Sequence, residues 1–220
     1  MTKSGQIHNR RSGNFLGLAL DDYRAARFLL CNGMLAQAAP LAATAVEKYL
    51  KSILALKKFH TKKHLESPLF NALKNHYPDL HNRINWTFMK FLKKCFKLRY
   101  ASVEGEGYGI ILNQHHMLLE LDKIVVLIDN GIVISKSTTP LQRAFNSKDP
   151  ILMDRNVPLG GISSEELVGL NNIVQEILVG PKLETSTITY ETQGMNLKTS
   201  WLRKPNINMK KGTIQLSFGR

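Results

Sequence analysis

Arg99 is the residue of this chain whose type and position most clearly suggest chemistry. It lies in the segment KLRYAS (97–102), at the end of a pattern typical of an amphipathic helix. At about 100° per residue, its azimuth falls among the apolar residues of that helix, which are Phe88, Leu92 and Cys95. Because an unpaired charge is costly to bury, we expect Arg99 to pair with a carboxylate, to turn toward water at the helix end, or to line a pocket for an anion.

Two acidic residues on other predicted helices could pair with Arg99. Asp22 has the same azimuth as the apolar residues of the first helix, so it is expected to face inward. Glu47 lies at the edge of the apolar face of the second helix, where it could equally form an i,i+4 pair with Lys51. The sequence leaves both partners open.

Lysines follow the helix that carries Arg99. Lys90, Lys93, Lys94 and Lys97 fall within an arc of about 100° opposite the apolar residues. Such a face is either solvated or contacts phosphate groups. The net charge of +13 favours an anionic partner such as RNA, DNA, a nucleotide or an acidic protein, although a basic protein without such a partner would have the same composition.

The other candidate residues do not form a recognisable catalytic or metal-binding motif. His60 and His64, and the pair His115 and His116, lack a third ligand and an HExxH pattern, so we expect no metal site. The glycines between 105 and 109 follow no predicted strand and predict a flexible loop. There is no phosphate-binding GxxxxGK[ST] motif and no GxSxG motif, and the sequence predicts no cofactor.

The elements that would hold these residues are predicted mainly as helices. After a frayed polar arm (1–13), Asn14 is expected to cap the first helix. The predicted helices cover residues 14–31, 35–58, 67–76, 79–100 and from 110 or 113 to 130. The fifth helix is apolar on two sides, so it is either central or part of a subunit interface, and we expect a homodimer.

The pattern changes after Gly131. Residues 163–179 predict one more helix, with Ser163 and Glu166 as its capping box. From residue 182 onward the alternation predicts short strands. The predicted fold is therefore mainly α: an up-and-down bundle of about five helices (14–131) with a basic C-terminal extension (132–220) of one helix and short β-strands, whose role is unknown.

The cellular compartment follows from the cysteines and the hydrophobic runs. Cys31 and Cys95 both fall in apolar helical patterns, which favours free thiols in a reducing compartment. The N-terminus has no long apolar stretch typical of a signal peptide, and no run is long enough to span a membrane. We therefore expect a cytoplasmic protein.

Four segments together resemble the HEPN family, the higher eukaryotes and prokaryotes nucleotide-binding domains. They are LALDDYRAARFLL, AVEKYLKSIL, TKKHLESPLFNALK and LRYAS, and the resemblance covers residues 14 to about 130. It implies a helical bundle that commonly dimerises. One branch of the family contains metal-independent ribonucleases, including toxins of toxin–antitoxin systems and defence effectors, with the motif Arg-x(4–6)-His. The other branch lacks this histidine and is associated with nucleotide binding or nucleotidyltransferase partners.

The resemblance places Arg99 at the family's arginine and Tyr100 at the tyrosine common in the second branch. Residues 104–106, where the histidine would fall, are Glu, Gly and Glu. We therefore expect a dimer that binds a nucleotide, RNA or a partner protein through Arg99 and Tyr100, with Lys94 and Lys97 nearby. The alternatives are a ribonuclease that uses Arg99 with His115 or His116, and a structural dimer in which Arg99 only staples the bundle.

Overall fold

The computed structural model describes residues 3–98, 107–132, 138–180, 185–193, 198–203, 207–210 and 213–216. The helices within these ranges are α1 (Lys3–Cys31), α2 (Leu35–Leu56), α3 (Ser67–His76), α4 (Pro78–Arg83), α5 (Trp86–Lys97), α6 (Gln114–Asn130), α7 (Pro140–Asn146), α8 (Pro150–Met153) and α9 (Ser164–Gly169). The strands are β1 (Tyr108–Asn113), β2 (Asn171–Val179), β3 (Thr185–Gln193), β4 (Ser200–Arg203), β5 (Ile207–Lys210) and β6 (Thr213–Leu216). The mainly α fold class is confirmed.

The bundle is built around α2, whose small side chains let its neighbours approach closely. Its alanines are fully buried at positions 38, 39, 42, 43 and 45. α1 packs along α2 after a tight turn, in which Gly33 adopts a φ of +76°. A side chain at Gly33 would also collide with Ile173, because a Cβ there would lie 2.7 Å from Ile173 Cδ1. This turn therefore requires glycine.

The central position predicted as one option for the fifth helix is observed for α6. It packs against α1, α2 and β2. Its residues Met117, Leu121, Val125 and Ile128 are fully buried within the protomer. Asn113 caps its first turn by accepting a hydrogen bond from the His116 amide at 2.9 Å. Burial inside the bundle therefore accounts for these residues of α6, whereas Leu119 and Val126 on the other side of the helix are only half-buried.

The N-terminal prediction was wrong. Residues 3–13 are not a frayed arm, and Asn14 is not a cap, because α1 begins at Lys3. Ser12 is buried against α2, and its hydroxyl lies 3.0 Å from that of Ser52. This side-chain contact joins the earlier turns of α1 to the bundle, which the polar composition of the segment did not indicate.

The predicted helix 79–100 is two helices in the described range. Ile84 separates α4 from α5 with an extended backbone (ψ 135°). Asn85 then caps α5, since its side-chain oxygen accepts hydrogen bonds from the amides of Thr87 and Phe88 at 3.1 and 3.2 Å. The last residues of the predicted helix, Arg99 and Tyr100, lie outside the described residues.

The predicted helix 163–179 is also wrong in its second half. The Ser163–Glu166 capping box is present, but α9 ends at Gly169. Residues 171–179 form β2, which is hydrogen-bonded to a strand on each side. Long-range pairing with β1 therefore overrides the local helical pattern.

The four-stranded antiparallel sheet has the order β3-β2-β1-β4, and β5 pairs with β6. Tyr108 of β1 lies opposite Val179 of β2 and Arg203 of β4. β1 precedes residue 131, whereas the other three strands follow it. The division into 14–131 and 132–220 stays a prediction, and the sheet joins the two segments by backbone hydrogen bonds.

Candidate anion-binding site

The apolar face predicted for the helix that precedes Arg99 is confirmed. Ile84, Phe88, Leu92 and Cys95 are all at least 95% buried. On the other side of α5, Lys90 is exposed and Lys93 and Lys94 are half-buried. Arg99, Tyr100 and the side chain of Lys97 lie outside the described residues, so their predicted ligand contacts stay predictions.

The C-terminal extension reaches the lysines of α5 through β4. The Lys94 ammonium lies 5.3 Å from the ring centroid of Trp201. Trp201 in turn stacks on Tyr108 of β1, with centroids 4.3 Å apart and ring planes at 14°. A cation over an indole face is attracted by the ring quadrupole. Lys94 is therefore held beside the sheet by residues that are 107 and 14 positions away, which sequence periodicity alone did not reveal.

Glu47 lies in a charged cluster with Lys51 and His64, which we call the Glu47 cluster. The Lys51 ammonium donates to Glu47 Oε1 at 2.7 Å, the i,i+4 pair left open by the sequence. His64 Nδ1 lies 3.0 Å from Glu47 Oε2. Glu47 is 94% buried, whereas the His64 side chain is 55% exposed. The carboxylate is therefore satisfied on both oxygens by groups that can carry positive charge.

The connector before α3 brings this cluster to the last turn of α5. The His64 ring lies 4.4 Å from the ring of Phe96, centroid to centroid. Phe96 precedes Lys97, the final residue of α5. A cavity of about 20 Å³ beside Lys51 and His60 is large enough for about one water molecule and is too small for a nucleotide. This cavity therefore does not hold a nucleotide.

Asp22 has a different partner among the described residues. Its Oδ2 lies 2.7 Å from the Lys48 ammonium of α2, and both side chains are partly exposed. Asp22 thus neutralises a lysine at the edge of the α1–α2 contact. Of the two predicted partners of Arg99, only Glu47 belongs to a cluster that contacts the last turn of α5.

His116 lies at the opposite end of α5 from the Glu47 cluster. His116 packs against Phe88, with ring centroids 6.2 Å apart, and its Nδ1 lies 2.9 Å from Thr199 Oγ1. Phe88 is in the first turn of α5 and Phe96 in the last, a rise of about 12 Å along the helix. The structure therefore does not bring His116 and His64 into one site.

Burial governs the protonation of both histidines. The His115 side chain is fully buried, and neither ring nitrogen has a hydrogen-bond partner among the described residues. Burial lowers the pKa of His115, and Arg155 lowers it further. Burial also lowers the pKa of His116, with Lys198 and Lys123 adding to the effect and Glu120 opposing it. Both imidazoles are therefore biased toward the neutral form.

A buried ion pair does exist in the bundle, but it involves residues that the sequence analysis did not select. The Arg27 guanidinium of α1 donates to Asp122 of α6, and both side chains are fully buried. The Tyr23 hydroxyl donates to the other Asp122 oxygen at 2.7 Å, and Asn156 donates to the Tyr23 hydroxyl at 3.2 Å. Arg27 also donates to the Ile151 carbonyl at 3.0 Å and to the Asp154 carbonyl. This network fastens the extension to the bundle.

A signal for this network was present in the sequence. Tyr23 and Arg27 are four residues apart and flank Ala26 on the buried face of α1. Asp122 follows Leu121 on the helix that is apolar over most of its circumference. We expected an inward-facing charge to have a buried partner, and this was correct. Among the described residues, however, the pair is formed by Arg27 and Asp122.

Within the described parts of the chain, no group of three His, Cys, Asp or Glu residues is placed to hold a metal ion. None of the helices described is long and apolar enough to cross a membrane.

The described residues form a helical bundle next to a small antiparallel sheet. Residues 14–117 match the family model described as HEPN domain, and this part of the chain belongs to the HEPN family. The match begins within α1 and ends in the first turn of α6. Comparison with curated proteins and with solved structures gave no significant match.

Proposed function

We propose that this protein is a dimeric HEPN protein that binds RNA or a nucleotide on the surface at the C-terminal end of α5. The observation that carries the proposal is the charge of α5, which has four lysines and no acidic residue in twelve positions. Like charges on one helix repel each other, and a polyanion relieves this repulsion. HEPN membership supports a nucleotide- or RNA-related function in general.

The proposed phosphate contacts are Arg99, Lys97 and Lys94, with Tyr100 beside them. A guanidinium suits this role because it donates two parallel hydrogen bonds to phosphate oxygens. Glu47 is the better supported of the two positioning carboxylates, because its cluster reaches Phe96 through His64. If the anionic partner of this site is a protein, we expect it to be a nucleotidyltransferase-type protein.

The proposed dimer contact lies on the outer face of α1. Leu18 and Phe28 expose 52% and 51% of their surface there. They fall within an arc of about 80° that also contains Ala25. Because about half of each side chain is already buried, burying the rest between two copies would stabilise the dimer by roughly 0.8–1.5 kcal/mol for each residue.

Anisotropy of a labelled single-stranded RNA, and of a fluorescent ATP analogue, tests this function over a range of salt concentrations. Each lysine or arginine that contacts a phosphate contributes about 0.7 to the slope of log K against log salt for a single strand. Arg99→Ala and Lys97→Gln should each reduce affinity and flatten this slope. Lys148→Gln, at an exposed position between α7 and α8, is the matched control and should leave both unchanged.

Three outcomes would contradict the proposal. Absence of affinity for either ligand at low salt would leave a protein partner or a structural role for Arg99. Equal effects of Lys97→Gln and Lys148→Gln would indicate only diffuse electrostatic attraction. Cleavage of the RNA that is lost in Arg99→Ala and in His116→Ala would indicate the ribonuclease alternative, in which an imidazole exchanges the proton of the ribose hydroxyl.

A further inference from the structure

A cavity of about 480 Å³ lies between the end of α6, α7 and residues 158–159. All of its lining residues follow residue 117, so it is outside the part of the chain that matches the HEPN model. Its walls are apolar at Leu141, Phe145 and Leu159, and its polar lining includes Asp129, Asn130 and Gln142. The volume is in the range of small-molecule sites, which are mostly apolar with a few polar groups that orient the ligand.

Asp129 is the group in this cavity that lacks a full set of partners. Its residue is 1% exposed, and its Oδ2 accepts a hydrogen bond from the Thr139 hydroxyl at 2.6 Å. Its other oxygen, Oδ1, has no hydrogen-bond partner among the described residues. A buried carboxylate oxygen that is left without a donor is costly, so it marks a place where a donor can bind.

Tyr49 of α2 presents a second buried polar group near Asp129. Its hydroxyl also has no hydrogen-bond partner within the ranges described, and the residue is 1% exposed. Burial raises the pKa of Tyr49, and the Asp129 carboxylate raises it further, which places the two groups within electrostatic reach of each other. The hydroxyl stays neutral at pH 7, so it does not supply the positive charge that Asp129 lacks.

The charge of the site selects the ligand. Burial raises the pKa of Asp129 to about 6, with the Thr139 hydrogen bond acting in the opposite direction. The group is therefore mostly a carboxylate at pH 7, and an anionic ligand would be repelled. A ligand with an N–H donor and a positive charge would satisfy Oδ1, while the walls favour a hydrocarbon or aromatic body.

We propose that this cavity binds a small organic cation, an aryl- or alkylammonium compound whose N–H group donates to Asp129 Oδ1 while its apolar body packs on Leu141, Phe145 and Leu159. The ammonium charge distinguishes this ligand from the nucleotides and RNA proposed for the end of α5. The two sites share no lining residue, so one can fail without affecting the other.

Calorimetric titration of the full chain with benzylamine tests the proposal, with benzyl alcohol and benzoate as uncharged and anionic analogues of similar shape. We expect benzylamine to bind and both analogues to bind at least about tenfold more weakly, which corresponds to about 1.4 kcal/mol. Asp129→Asn keeps an oxygen for Thr139 and removes the charge. It should weaken benzylamine binding by a similar factor.

Two further variants separate a built site from general attraction. Asn130→Trp places a large side chain at the exposed edge of the cavity and should abolish binding while leaving Asp129 in place. Asp21→Asn removes an exposed carboxylate on α1 and should leave binding unchanged. Absence of benzylamine binding, equal binding of benzyl alcohol, or undiminished binding by Asp129→Asn would each overturn the proposal, and each variant's fold is checked by its circular dichroism spectrum.

Discussion

Arg27 of α1 and Asp122 of α6 form an ion pair in which both side chains are completely buried. Burial raises the pKa of Asp122, and Arg27 and the Tyr23 hydroxyl only partly offset this effect. Burial alone would lower the pKa of Arg27, but Asp122, Tyr23 and Cys31 together raise it by more, so its net shift is upward. Two costs of desolvation are therefore balanced by mutual attraction and by hydrogen bonds to Tyr23 and to two backbone carbonyls.

Arg27→Met should destabilise the protein by about 3–5 kcal/mol, because it leaves the Asp122 carboxylate buried without a cation. The double variant Arg27→Met/Asp122→Leu should recover a large part of this loss, since it removes both charges. Urea unfolding followed by circular dichroism measures both free energies.

Arg24→Met is the matched control, because Arg24 pairs with Asp149 at 3.0 Å but is 40% exposed. It should cost less than about 1 kcal/mol. Similar losses for Arg24→Met and Arg27→Met would contradict a special role of the buried pair.

The network also shows why the candidate site was only partly predictable from the sequence. Helical periodicity identified the buried face of α5 correctly, because four apolar residues at helical spacing leave one way to pack. Periodicity treats an arginine as polar wherever it occurs, so it did not place Arg27 in the core. The partners of Arg27 are 95 to 127 residues away in sequence. Contacts over such distances are determined by the tertiary fold.

The secondary structure was also only partly predictable from the sequence. The Ser163–Glu166 capping box was predictable, because it depends on two residues three positions apart. β2 was not, because its segment NNIVQEILV is compatible with either element in isolation. Pairing of β2 with both β1 and β3 decides the outcome, and β1 is more than fifty residues earlier in the chain.

Asp129→Asn should remove a pH dependence of folding stability. The pKa of Asp129 is raised from an ordinary value of 3.8 to about 6, so the native state holds this proton more tightly than the unfolded state. Its contribution to stability is therefore fully present below about pH 4 and is lost as the pH rises to about 6. As the pH rises from about 4 to about 6, the free energy of unfolding of Asp129→Asn should increase by up to about 3 kcal/mol relative to that of the parent. In this variant Thr139 keeps its hydrogen bond, and Tyr49 stays neutral.

Urea unfolding of both proteins at intervals from pH 4 to pH 7 measures this difference. Subtracting the two curves cancels the titration of the other carboxyl groups, including Asp122. A difference that does not change with pH would show that the carboxyl of Asp129 has the same affinity for protons in the folded and unfolded chains.

Glu47→Gln separates two roles of this carboxylate. If Glu47 positions the cations at the end of α5, its loss should weaken RNA binding several-fold although the protein becomes more basic. If it only screens Lys51 and His64, RNA binding should become stronger. We expect weaker binding, because His64 and Lys51 are held by hydrogen bonds of 3.0 and 2.7 Å to its two oxygens.

Anisotropy titrations of labelled RNA at one low salt concentration show whether Glu47→Gln weakens or strengthens RNA binding. Asp79→Asn provides the charge-matched control, since it removes an exposed carboxylate from the first turn of α4. It should bind RNA as well as the parent or slightly better. Unchanged affinity in Glu47→Gln would mean that the Glu47 cluster lies apart from the RNA.

Phe28→Glu should convert the proposed dimer to a monomer without unfolding it. Phe28 exposes 51% of its surface, so a charged side chain is tolerated in the monomer but would be desolvated in a contact between two α1 helices. Light scattering coupled to size-exclusion chromatography measures the mass at several protein concentrations.

Val168→Glu, at an apolar residue of α9 that is 40% exposed, is the control and should remain dimeric. A parent protein that is monomeric at all concentrations would remove the dimer from the proposal. Dissociation by Val168→Glu alone would move the contact from α1 to the C-terminal extension.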